Sequence, residues 1–250
     1  MSKKKGNEKE VTFNLDTLGV PIAIIVSGVI IATLIFFASR NNTVDNGSAG
    51  TGDSAQVQDD STDSSPEGTV SLGDDPFLGD PETATVAIID FSDYQCGYCQ
   101  RHSEETFPSI KENYIDTGKI LYVFKEFPLS SPGQIGFTIA EGGACVFNLS
   151  DAQTYVEYHK KAFFTESKDA LVTLVGTLGV DEGEFRACLD ENTYRDEVNA
   201  DLNEGRSVGI SGTPGFIVGL IGEDGVVEGK LIAGAYPYDT FKNAIEELLK

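Results

Sequence analysis

Between Asp16 and Arg40 the chain runs for 23 residues without a charge, TLGVPIAIIVSGVIIATLIFFAS. As a helix this run is roughly 34 Å long, enough to cross a hydrocarbon core. A segment that is apolar all round and sits this early predicts a membrane anchor over residues 17–39 rather than a buried core helix. A cleavable signal peptide is the rival reading. Its apolar region would be shorter, about 7–15 residues, and would end in a small-x-small site. Ala38-Ser39-Arg40 matches that poorly. Four lysines precede the run and one arginine follows it. That asymmetry predicts a cytoplasmic tail over 1–16 and an extracytoplasmic remainder.

Whatever folds must therefore lie beyond the anchor. Residues 41–80 carry eight Asp, one Glu and no Lys or Arg, and large apolar side chains are scarce before Phe77. Such a stretch cannot bury enough surface to offset its ordering entropy, and self-repulsion extends it. It reads as an acidic disordered linker over 40–80. The formal net charge of the whole chain is −22. Nothing in that balance could offset phosphate repulsion, so no nucleic-acid partner is expected.

From about residue 81 the texture is that of a folded domain, 81–250. Val86-Ala87-Ile88-Ile89-Asp90-Phe91 reads as a buried strand, and Ile120-Leu121-Tyr122-Val123-Phe124 as a second. Between them a helix follows Cys96, with a kink at Pro108 and a stop at Gly118. About 132–207 is a helical block, broken near Asp151, Ser167, Gly179 and Asn192. Strand candidates at 215–218 and 230–233 and a closing helix from Phe241 complete an α/β order.

Cys96-Gly97-Tyr98-Cys99 sits where the first strand gives way to this helix. The first cysteine then faces unsatisfied helix N–H groups and the positive end of the dipole, which favour a thiolate. The thiolate is the species that attacks a disulfide. Cys96 is the candidate nucleophile, and Cys99, one turn later, the candidate resolving thiol. A haem site would need His after the second cysteine, where Gln100 stands. A merely structural disulfide remains open. So does a zinc site of Cys96, Cys99, His102 and one of Cys145 or Cys188.

Four motifs together resemble the DsbA-like branch of the thioredoxin superfamily. They are Asp90-Phe91-Ser92-Asp93-Tyr94-Gln95-Cys96-Gly97-Tyr98-Cys99, Glu126-Phe127-Pro128-Leu129, Ala187-Cys188-Leu189-Asp190 and Val208-Gly209-Ile210-Ser211-Gly212-Thr213-Pro214. The resemblance covers about residues 84–250. It implies a thioredoxin-like fold with an inserted helical block. It also implies a cis-proline at Pro214, with Thr213 offering its backbone to a substrate strand. Asp90, six residues before Cys96, matches the buried acid beneath the active-site pair and is the candidate proton acceptor for Cys99. A strand-end Asp facing water is the alternative. The dipeptide departs from the branch, which has Pro-His. Cys-Gly-Tyr-Cys with Thr before the proline resembles disulfide isomerases of the DsbC type, so the direction of the chemistry stays open.

With Cys96 and Cys99 assigned to redox work, Cys145 and Cys188 are left for a second, structural disulfide, or for two buried free thiols. Closing that loop of about 44 residues stabilises by roughly 4 kcal/mol in the chain-entropy model. His102 reads as a helix-surface residue, and His159, beside Lys160 and Lys161, as part of a solvated face. Lys125 reads as solvated, or as a partner for Asp90. Tyr94 and Tyr98 either form an apolar rim or pack. The expected function is a membrane-anchored, extracytoplasmic thiol–disulfide oxidoreductase. It acts on unfolded, cysteine-containing exported proteins, is reset by a membrane redox partner and needs no metal or organic cofactor. The alternative is a tethered, non-catalytic peptide-binding module whose cysteine pair is structural.

Overall fold

The computed structural model describes residues 67–250. The expected tail (1–16), anchor (17–39) and most of the linker (40–66) lie outside the described residues. Among the described residues no helix is long and apolar enough to cross a membrane.

Six strands form one sheet: β1 (Glu67–Ser71), β2 (Phe77–Leu78), β3 (Val86–Ser92), β4 (Ile120–Glu126), β5 (Gly215–Ile221) and β6 (Val226–Ala233), in the spatial order β1-β6-β5-β3-β4-β2. Only β3 and β4 pair in parallel; the other neighbours are antiparallel. A parallel pair needs a crossover, and α1 supplies it. This helix runs through Gly97–Arg101, a π-helical turn at His102–Thr106, Phe107–Ile110 and a second π-helical turn at Lys111–Ile115. The disturbance expected at Pro108 thus takes the form of two widened turns flanking a residue that cannot donate to the helix ladder.

Every residue of β3 and β4 is buried, because helices cover both faces of the central strands. Successive side chains point to opposite faces. Val86 and Ile88 join Tyr122, Phe124, Phe216 and Phe241 on one side. Ala87, Ile89 and Phe91 join Val123, Phe137, Leu202 and Ile217 on the other.

Between β4 and β5 come five helices: α2 (Ile135–Leu149), α3 (Ala152–Lys161), α4 (Lys168–Thr177), α5 (Glu182–Asp190) and α6 (Arg195–Ser207). Their starts are set by side-chain caps. Asp151 accepts from the Thr154 N–H, Ser167 from that of Ala170, and Asp181 from those of Gly183 and Glu184. The last helix, α7 (Tyr238–Leu248), buries Phe241 and Ile245.

The boundary expected at residue 81 is corrected. Residues 67–71 form the edge strand β1, with Val70 buried opposite Val227 of β6. Phe77 and Leu78 pair with β4 at the other edge. The acidic composition concealed two short strands whose other partners lie far along the chain.

Candidate active site

The turn from β3 into α1 is held by Asp93. One carboxylate oxygen accepts from the Gln95 N–H (2.9 Å) and the other from the Leu129 N–H (3.0 Å), while the Cys96 N–H donates to the Asp93 carbonyl (3.0 Å). This places Cys96 as the extended residue just before the first helical turn, half-buried, and Cys99 buried one turn later. Both are free thiols.

The two sulfurs are driven apart in acidity. Cys96 falls to about 5. The largest cause is the Cys99 thiol donating to it; burial opposes, and the backbone N–H groups of Cys99 and Tyr98 help. Cys99 is pushed far up, chiefly by burial and then by the Cys96 sulfur beside it. Thr213 closes the site from β5's side. Its peptide bond to Pro214 is cis. Its carbonyl accepts from the Cys96 thiol at 3.3 Å, which favours the protonated form. Its side-chain hydroxyl pulls the other way and lowers the Cys96 value.

Beneath the pair, Asp90 lies in mid-sheet between Phe124 and Phe216. Oδ2 accepts from the Tyr122 hydroxyl (2.8 Å), which in turn meets His102 Nε2 at 3.0 Å. Asp90 rises to about 7. Burial is the main cause, the Cys96 charge adds to it, and the Tyr122 hydrogen bond opposes. The water-facing alternative for Asp90 does not hold, since the residue is buried. His102 is corrected too: it is buried among Phe216 and Phe241 and held neutral by burial, its pKa lowered to about 3.

A family model described as thioredoxin matches residues 71–247, well over half of the chain. The chain belongs to the thioredoxin family. It is a DsbA-like thiol–disulfide oxidoreductase of that family. Disulfide bond formation protein D of Bacillus subtilis is 25% identical over 192 residues, covering 73% of this chain and 81% of the relative. Two rickettsial relatives are also 25% identical, and the chain spans 63% of their length. Among solved structures, Wolbachia pipientis alpha-DsbA1 superposes with a TM-score of 0.62 at 26% identity, covering 70% of this chain and 91% of that one. The thiol-disulfide exchange protein alpha-DsbA2 of the same organism gives 0.55 at 27%, covering 69% and 86%.

Around this thioredoxin-family site, several side chains depart from the sequence reading. Lys125 is neither solvated nor paired with Asp90. It is 4% exposed and ion-paired with Asp75, Asp201 (3.1 Å) and Glu204 (3.1 Å). The reason is the period of the strand: Asp90 faces Phe124 in register, so Lys125, one residue on, points to the opposite side of the sheet. Asp201 also accepts from the Glu126 N–H (2.9 Å). Glu126 itself is buried and pushed well up, first by burial. Sequence reasoning placed it in a motif without giving it a role. His159 is not solvated; it is buried, with Nδ1 3.2 Å from the Tyr94 hydroxyl. Tyr94 is thus packing. Tyr98 is 63% exposed, with Arg101 stacked over it.

Cys145 and Cys188 are joined by a disulfide between α2 and α5, with an S–S distance of 1.99 Å. The bond lies in a third apolar cluster with Ile139, Tyr158, Leu171 and Phe185, which also takes in Tyr94 and Cys99. The helical block is therefore packed onto the turn that carries the reactive pair.

Proposed function

We propose that this oxidoreductase works outside the cytoplasm, tethered by residues 17–39, and that it oxidises cysteine pairs of exported proteins. The observation that carries the reading is the divided pair of sulfurs beside Thr213: a half-buried Cys96 at about 5 and a buried Cys99 pushed far above it. A sulfur that is stable as a thiolate is a good leaving group, so the disulfide that contains it is readily reduced by its targets. A disulfide elsewhere in the chain also suits an oxidising compartment.

In the oxidising direction, a substrate thiolate attacks Sγ of Cys96 in the Cys96–Cys99 disulfide. That bond breaks, a mixed disulfide forms, and the electron pair goes to the Cys99 sulfur. Cys99 then takes a proton, for which Asp90, near half-protonated at neutral pH, is the source. A second substrate thiolate attacks the substrate sulfur of the mixed disulfide, and Cys96 leaves as a thiolate. The substrate loses two electrons; Cys96 and Cys99 gain them. A disulfide-bearing or quinone-bearing membrane partner removes them, and Asp90 takes back the Cys99 proton. During these steps the substrate backbone lies along Thr213 and Pro214 as an added strand.

The test is the equilibrium reduction potential of Cys96–Cys99 in the full chain against glutathione. Oxidation or isomerisation requires a value near about −120 to −180 mV. A value near about −270 mV, that of thioredoxin, would reverse the direction and make the domain a reductant.

A further inference from the structure

Two non-glycine residues among the described ones have a left-handed backbone, Asn192 (φ 53°) and Phe164 (φ 57°). Asparagine visits this region readily because its short polar side chain bonds locally. For a bulky aromatic residue it is an unfavourable conformation. Burial of the ring would be the ordinary compensation. Phe164 lacks it: the residue is 45% exposed, while its neighbour Phe163 is buried against Tyr94.

The loop between α3 and α4 imposes this conformation. The Phe164 N–H donates to the Tyr94 carbonyl (3.0 Å), and both the N–H and the hydroxyl of Thr165 bond the Ala162 carbonyl (3.1 and 2.8 Å). Tyr94 stands two residues before Cys96. The tip of the Phe164 ring lies 4.0 Å from where a Cβ on Gly97 would stand. A strained, solvent-facing ring is thus tied by its main chain to one side of the nucleophile's turn and reaches the residue on the other. Strain retained at such a place, with no packing gain, belongs with function. Tyr98, Arg101 and Tyr236 line a separate cleft with Thr213. Phe164 is not among its walls; it stands on the loop between α3 and α4, beside Gly97.

We propose that Phe164 is a specificity-determining residue, whose ring packs against an apolar side chain adjacent to the substrate cysteine while that cysteine is bonded to Cys96. The inference rests on the oxidoreductase reading above. The bonds made and broken are those already given; the ring exchanges neither electrons nor protons. Its substrates are extended segments in which leucine, phenylalanine or a similar residue neighbours the reactive cysteine. Such segments belong to unfolded chains, where core residues are still exposed.

The test uses the full chain in its oxidised form and two dithiol peptides, one with leucine and one with glycine on both sides of each cysteine. Wild-type protein is expected to oxidise the leucine peptide with the higher kcat/KM. Phe164→Gly is expected to lower the leucine-to-glycine ratio about tenfold, mainly through KM, as for loss of an apolar contact. Its melting temperature should hold or rise, because glycine adopts the left-handed conformation freely. Phe164→Leu should keep most of the ratio. An unchanged ratio in Phe164→Gly, whatever the melting temperature does, overturns the inference and leaves the redox reading standing. Wild-type protein inert toward both peptides overturns the redox reading and this inference with it.

Discussion

Cys145 and Cys188 lie 43 residues apart and share a bond, whereas Cys96 and Cys99 lie one helical turn apart and are free thiols. The first pair joins two helices inside an apolar cluster, and Cys145 has no exposure to solvent. No substrate thiolate can approach it in line. The second pair is split between a half-buried sulfur lowered by the Cys99 thiol and by backbone N–H donors and a buried one raised chiefly by burial. Identical side chains thus take opposite roles according to access and to the dipoles aimed at them.

The most severe way to test this contrast is Cys96→Ser. Turnover with a dithiol peptide should fall by roughly three orders of magnitude or more, as for loss of any nucleophile, and retained turnover would make the pair structural. Next in size, replacing both Cys145 and Cys188 with alanine should cost about 4 kcal/mol of stability by the chain-entropy argument. Denaturant melts measure that loss, and peptide oxidation should stay within about twofold of wild type, since neither sulfur of this bond takes part in the exchange. If activity were lost while the fold held, the helical block would be shaping the site through this bond.

Asp90→Asn sharpens the comparison from beneath. It should slow the step in which Cys99 gains or loses its proton by roughly 10²-fold, at the low end of general acid–base effects. It should also erase an inflection near pH 7 in the wild-type rate profile, which stopped-flow quenching can resolve. A profile that keeps the inflection would shift the role to another group, Glu126 being the nearest alternative in kind.

The remaining effect is the dependence of stability on pH. Cys96 titrates in the folded, reduced state near 5, below its ordinary value of about 8.5 when unfolded. Between those values the unfolded chain holds more protons, so reduced-state stability rises with pH and is lost as pH falls through 5. The oxidised form lacks this thiol. The melting temperature of reduced protein minus that of oxidised protein should therefore shrink from pH 8 to pH 5. Asp90 works in the opposite sense. Its folded value near 7 exceeds its unfolded value of about 3.9, so its contribution declines as pH rises between them. A difference that grows on acidification would contradict the thiolate assignment.

The sequence made the central elements legible for a simple reason. Val86–Ser92 and Ile120–Glu126 are buried on both faces, so they read as unbroken apolar runs. The breaks read near Asp151 and Ser167 fall where these two residues cap the next helix, and the one read at Gly179 lies just before the cap Asp181. What stayed hidden depended on partners distant in the chain. Glu67–Ser71 holds one large apolar side chain and becomes a strand only against β6, roughly 160 residues on. His102 and His159 looked solvated beside charged neighbours, but Tyr122 and Tyr94 bury them. Lys125 reads as a surface lysine until Asp75, Asp201 and Glu204 converge on it. Cys96 and Cys99 stood out by their spacing at a strand-to-helix turn, whereas Pro214 stood out only through the family resemblance. Phe164 was not, since nothing local in its sequence announces a left-handed phenylalanine.

The edge strand β1 also sets where a protease could cut without breaking the fold. A cut before Glu67 would leave the sheet whole. A cut at residue 81 would strip both edge strands, uncover the Val227 side of β6 and remove Asp75 from Lys125. A harmless cut and a destructive one are thus separated by some fourteen residues of an acidic stretch.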